Sequence, residues 1–139
     1  MQLFRQIFLK AAQEAEEWIR RLCEAGYTVI LFGSRARGDA RIDSDWDLLV
    51  VGKDPPPEPP HDLVQVVFLK PEDIEPQIEK FNTLVIDALH EGKLICGPKG
   101  LYHKWREATL RKTANYAKTP QGRLPRPWHN PPSSSTSAL

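Results

Sequence analysis

Asp45 and Asp47 stand one residue apart, directly before the apolar run Leu48 to Val51. Ten residues upstream, Gly33-Ser34 closes a second apolar run, Tyr27 to Phe32. A strand sends alternate side chains to one face, so the two carboxylates point the same way at a strand's start. Such a pair repels unless a cation sits between its members. Oxygen ligands with no Cys or His nearby suit Mg²⁺, which binds through one or two carboxylates plus substrate phosphates. Gly33 lets the backbone come close, and Ser34 offers a hydroxyl and a helix start to a phosphate. The pattern therefore predicts a metal–nucleoside triphosphate site.

A lone Asp-x-Asp would read as two solvated strand-end charges, and Gly33-Ser34 at this distance moves the balance toward function. Ser34 as a simple helix N-cap is compatible with phosphate binding, because both use the same geometry. Arg35 and Arg37 lie in the phosphate-facing turn, and Arg37 is the better candidate for a phosphate or partner contact. Other features carry less. Gly33 to Gly38 lacks the Gly-Lys-Ser/Thr ending of a P-loop. Arg37-Gly38-Asp39 spells an adhesion tripeptide by coincidence. His61, His90, His103 and His129 share no metal-ligand spacing.

These residues need elements to hold them. Residues 3–25 predict one amphipathic helix, with Leu3, Phe4, Ile7, Phe8, Ala11, Ala15, Trp18, Ile19 and Leu22 at three- and four-residue steps and Gly26 past its end. Strands are expected over 27–32, 46–51 and 63–69, with a short helical turn at 34–37. Five prolines between Lys53 and Pro60 make a stiff connector. Pro71-Glu72-Asp73 opens a helical turn, with acids near the positive end. A helix over 83–91 stops at Gly92, Leu94-Ile95 adds an edge strand, and a weaker helix covers 101–117. From Thr119 onward Pro and Ser dominate, and disorder is expected.

Gly33-Ser34-Arg35-Ala36-Arg37-Gly38 through Ser44-Asp45-Trp46-Asp47-Leu48-Leu49-Val50 resembles the nucleotidyltransferase superfamily that includes DNA polymerase beta. The fuller string is similar to its minimal nucleotidyltransferase branch, over about Met1 to Gly97. Trp46 departs from the small aliphatic residue usual there, which concerns packing rather than the acids. The resemblance implies an α/β (α+β) core, a small mixed β-sheet backed by helices on one face. It also implies two Mg²⁺ ions, a nucleoside triphosphate such as ATP as substrate, and a small helical HEPN toxin as partner. Two ions roughly 3.5–4 Å apart take a third acidic ligand from a neighbouring strand. Asp62, opening the third strand before a Leu-Val pair, resembles that residue. Asp62 is the best third ligand, the competing reading being that it merely caps a strand entrance, with Asp54 and Asp73 the fallbacks.

The expected catalytic and metal set is thus Asp45, Asp47 and Asp62, with Gly33, Ser34 and Arg37 on the nucleotide. The reaction implied is transfer of a nucleoside monophosphate, AMP by preference, to a hydroxyl such as a Tyr of the HEPN partner. The chain is expected to be too short for the separate substrate domain of larger relatives, so its acceptor is another macromolecule. Arg123 and His129 imitate HEPN ribonuclease spacing but sit among prolines, where no helix can present them.

At 139 residues the chain is one domain's worth of sequence. The net charge of +1 conceals an asymmetry. Residues 1–98 hold 11 basic against 17 acidic residues, and residues 99–139 hold 8 against 1. The expected organisation is a nucleotidyltransferase domain over 1–97, a basic helix or arm over 98–118, and a Pro/Ser-rich tail over 119–139. Two alternatives follow from the arm: a non-catalytic antitoxin that covers its partner, or a nucleic-acid contact through basic residues interleaved with Tyr102, Trp105 and Tyr116. Cys23 and Cys96 are too few for a zinc site or disulfide framework, and Cys23 is expected to be a buried free thiol. No signal peptide and no run of roughly 20 apolar residues is evident, so a cytoplasmic protein is expected.

Overall fold

The computed structural model describes residues 2–114, 116–119 and 122–125. Helix α1 (Gln2–Glu24) leads into strand β1 (Thr28–Phe32), the four-residue helix α2 (Ser34–Arg37) and strand β2 (Trp46–Val51). Strand β3 (Val64–Leu69) follows the proline connector. A 3-10 turn over Pro71–Asp73 then runs into α3 (Ile74–Glu79) and α4 (Thr83–Glu91). Edge strand β4 (Lys93–Cys96) and helix α5 (Lys99–Lys112) complete the body. The backbone of β5 (Tyr116–Thr119) pairs with β6 (Gly122–Pro125) in a separate hairpin. That hairpin lies where the end of a helix and the start of a disordered tail were expected. Residues 126–139 of that tail, with Arg123 and Tyr116 as side chains, lie outside the described residues.

The main sheet has the order β3-β2-β1-β4. β1 is antiparallel to β2 and β4, while β2 and β3 run parallel, so the sheet is mixed as expected. The layers differ from the expectation of helices on one face. Ile30, Phe32, Leu49 and Val51 pack with α3, α4 and α5. Val29, Leu48, Val50 and Val64 pack with Ala15, Trp18, Ile19 and Leu22 of α1. Alternate residues of the same strands thus feed two cores, and helices cover both faces. The continuous run Leu48 to Val51, none of it more than 2% exposed, is what a strand buried on both sides requires. Each such side chain contributes roughly 1.5–3 kcal/mol by burial.

Local signals set the ends of the elements. Asn82 caps α4, its side-chain oxygen accepting from the amides of Leu84 and Val85 at 3.1 and 3.4 Å. Helix α5 buries Tyr102 and Trp105 in the core shared with α3 and α4, across the boundary expected at residue 97, and also buries Thr109. The Tyr102 hydroxyl donates to the carbonyl of Gly92 at 2.9 Å.

The expectation of a free Cys23 thiol is corrected: Cys23 and Cys96 form a disulfide, with Cα atoms 5.8 Å apart. α1 lies on the face of the sheet whose edge carries Cys96, so 73 residues of separation close to bonding distance. No helix among the described residues is long and apolar enough to cross a membrane.

Candidate active site

The site forms where β1 ends and β2 begins. In the antiparallel register Phe32 lies opposite Asp47, which brings the two halves of the motif together. Gly33 has φ +76°, a conformation that L side chains rarely adopt. A Cβ on Gly33 would sit 2.2 Å from Asp47 Oδ2, so only glycine leaves room for this carboxylate. Ser34 begins α2 and is half-buried. Gly38 ends α2 in the left-handed conformation, its amide donating to the Ser34 carbonyl.

The loop back to β2 is closed by Ser44, whose Oγ accepts from the Arg41 amide at 2.8 Å. Asp45 is exposed and Asp47 half-buried, on the β2 face shared with Leu49 and Val51. Burial pushes the Asp47 carboxyl above the ordinary aspartate range, and the neighbouring Asp45 charge adds to it. Arg37 acts on Asp47 in the opposite direction. Its guanidinium also reaches Asp39 and Glu91, each at 3.4 Å. Arg37 therefore spans α2 and the end of α4 beside the carboxylates.

Arg35 is turned to a different task. Its guanidinium lies 4.2 Å from the centre of the Trp46 ring and donates to the carbonyl of Ser44 at 3.0 Å. Trp46, 8% exposed, packs with α1. The unusual tryptophan is thus a core residue that stacks the arginine, and the pair holds the loop leading to Asp45.

Asp62 is not brought into a cluster with Asp45 and Asp47. It lies exposed in the turn before β3, and no group of three or more His, Cys, Asp or Glu among the described residues is placed to hold a metal ion. The neighbouring His61 is tied by its ring Nε2 to the carbonyl of Ala11 in α1 at 2.7 Å. Of the two fallbacks, Asp54 lies in the proline connector and Asp73 in the 3-10 turn. The residue registered against Asp47 on β3 is Gln65. Sequence reasoning passed over it, although it is the only polar residue of Val64–Leu69.

The nucleotidyltransferase domain model matches residues 13–112. The chain belongs to that family. The match covers the Gly33-Ser34 turn, both aspartates and helix α5, residues 99–112 of the stretch expected to be an arm. No curated protein matches the chain. A solved structure, "Crystal structure of the toxin-antitoxin with AMP-PNP", is similar to it at 18% identity and a TM-score of 0.45. The similarity covers 69% of this nucleotidyltransferase chain and 84% of that one.

Proposed function

We propose that the chain binds a Mg²⁺–nucleoside triphosphate where Gly33 meets Asp47 and moves its nucleoside monophosphate to a hydroxyl of a partner protein. The observation that carries this is the collision a Cβ at Gly33 would make with Asp47 Oδ2, 2.2 Å away. The chain keeps a bare backbone against a carboxylate, as a site for a phosphate beside a hard cation requires. The donors fit Mg²⁺: they are carboxylate oxygens, two in number, on one strand face. Asp45 and Asp47 would hold the ion, which when bound neutralises phosphate charge and polarises the phosphoryl group for attack.

The protein's own residues position the reactants. The Gly33 and Ser34 turn receives the β/γ-phosphates, and Arg37 supplies positive charge beside them. The acceptor oxygen bonds to the α-phosphorus as the bond to the β-phosphate bridging oxygen breaks. Pyrophosphate leaves, and the hydroxyl proton passes to solvent. ATP as donor, and a Tyr of a HEPN-type toxin as acceptor, follow from the resemblance to the minimal branch. On this reading the chain acts as an antitoxin.

A second reading, a non-catalytic module that neutralises its partner by binding, is favoured by one observation: among the described residues no third metal-ligating side chain is grouped with Asp45 and Asp47. The nucleic-acid reading loses ground. Tyr102 and Trp105 are buried, so neither can stack on a base, and Lys104 and Lys112 pair with Glu75 and Glu79. The deciding experiment incubates the chain with radiolabelled ATP, Mg²⁺ and its partner, beside a pull-down of the same pair. Labelled partner supports transfer. Tight association with no label supports the binding module.

A further inference from the structure

Strands β2 and β3 run parallel, with Trp46 opposite Val64, Asp47 opposite Gln65, Leu48 opposite Val66 and Leu49 opposite Val67. Registered partners share a face, and the packing of their neighbours verifies it. Val64, Val66 and Phe68 pack with the α1 core, as Trp46, Leu48 and Val50 do. Val67 and Leu69 pack with the opposite core, as Leu49 and Val51 do. Gln65 therefore rises on the same face as Asp47, one strand over and exposed. Its Nε2 donates to the carbonyl of Asp62 at 2.6 Å, which fixes the amide across the turn.

A second divalent ion a few ångströms from the first repels it and needs its own anionic ligand. Two carboxylates plus phosphates meet the needs of one Mg²⁺. The place on the neighbouring strand from which a third carboxylate would come is filled by a neutral amide. Asp62, the nearest acid in sequence on that side, is displaced into the turn. We propose that Gln65 occupies the third ligand position and limits the site to one divalent cation, which enters with the nucleotide. This rests on the nucleotide-binding reading above. It adds that the chain holds the triphosphate while lacking the carboxylate that would place a second ion at the acceptor hydroxyl.

The test counts ions rather than turnover. The full chain, with a saturating non-hydrolysable ATP analogue (AMP-PNP), is titrated with Mn²⁺ while free Mn²⁺ is followed by electron paramagnetic resonance. The expected stoichiometry is one ion per chain. Gln65→Asp and Gln65→Glu, each checked for an unchanged melting transition, should raise it to two. Gln65→Ala and Asp62→Asn should leave it at one. Two ions in the parental chain, or no increase in either folded acidic variant, would overturn the proposal. So would loss of an ion in Asp62→Asn, which would return Asp62 to the site. No AMP-PNP binding by the parental chain would overturn the nucleotide site itself, an outcome distinct from binding with the wrong ion count.

Discussion

The junction of β1 and β2 and the entrance to β3 lie side by side at one end of the sheet and are built on opposite principles. At the junction, every residue of the proposed nucleotide site falls within 33–47 and one antiparallel register joins its two halves, so spacing along the chain translates directly into geometry. At the β3 entrance, the group that meets Asp47 arrives after the proline connector, and a parallel register chooses which residue it is. A shift of two residues there exchanges one face-sharing residue for another. Local closure leaves its chemistry readable. Distant closure hides it behind the register.

The strongest way to break that contrast is to open the most distant closure. The Cys23–Cys96 bridge closes a loop of 73 residues. A chain-entropy treatment assigns such a loop about 4 kcal/mol. Cys23→Ser with Cys96→Ser, compared by denaturant titration under oxidising conditions, should lose an amount of that order. Reducing agent should destabilise the parental chain and leave the variant unchanged. An unchanged midpoint for the parental chain in reductant would mean that the α1–β4 contact is held by packing alone.

The next effect tests the junction directly. Asp45→Asn with Asp47→Asn should weaken Mg²⁺–AMP-PNP binding at least about a hundredfold, equivalent to about 2.7 kcal/mol. The fold should persist, because the change also removes a like-charge pair. Asp62→Asn should bind as the parental chain does. Equal losses at Asp62 and at the paired aspartates would erase the distinction between the two regions. Parental affinity in the double variant would remove the site from the β1–β2 junction.

Gly33→Ala sharpens the same point with a single methyl group. At φ +76° an L residue is strained, and its Cβ would meet Asp47 Oδ2. The expected cost is about 1–3 kcal/mol of stability, read as a lowered Tm, together with weakened nucleotide binding as Asp47 is displaced. Gly38→Ala has a comparable φ of +88° but open space around its Cβ position. It should lose stability from strain and keep affinity much closer to the parental value. Equal affinity losses in the two variants would show that the close approach at Gly33 is unimportant.

What was legible in the sequence follows the same division. The span of β2, the span of α4 with its stop at Gly92, and the edge strand through Leu94-Ile95 all came from local pattern. Gly33, Ser34, Asp45 and Asp47 share one loop, and the structure brings Gly33 and Asp47 together as the spacing required. The misses are contacts between distant segments. The two-sided sheet follows from which helix covers which alternate residue, and the disulfide from where α1 ends against β4. Asp62 was attractive because it opens a strand as Asp45 does. The paired strand begins at Val64, however, and the face-sharing partner of Asp47 is Gln65. Trp105 belonged to a helix that looked like a basic arm because its charges are plain in sequence, whereas its burial is a property of the fold.

The smallest expected effect lies inside the junction and concerns the protonation of Asp47. Its carboxyl sits above the ordinary range, chiefly through burial and secondarily through Asp45. The folded chain therefore binds this proton more readily than the unfolded chain does. The stability so contributed is fully present below the unfolded value of about 3.9 and is lost as pH rises through the folded value. At neutral pH without metal the ionised group is a liability, so Asp47→Asn should melt above the parental chain by about 1–2 °C. The difference should close as the pH falls to about 3–4. Arg37→Ala removes the charge that opposes the shift, so in that background the melting difference should start to fall at a higher pH, while the pH of full closure, set by the unfolded chain, stays where it was. A melting difference independent of pH would mean that the Asn change acts through packing, and that the junction carries no electrostatic cost for a cation to relieve.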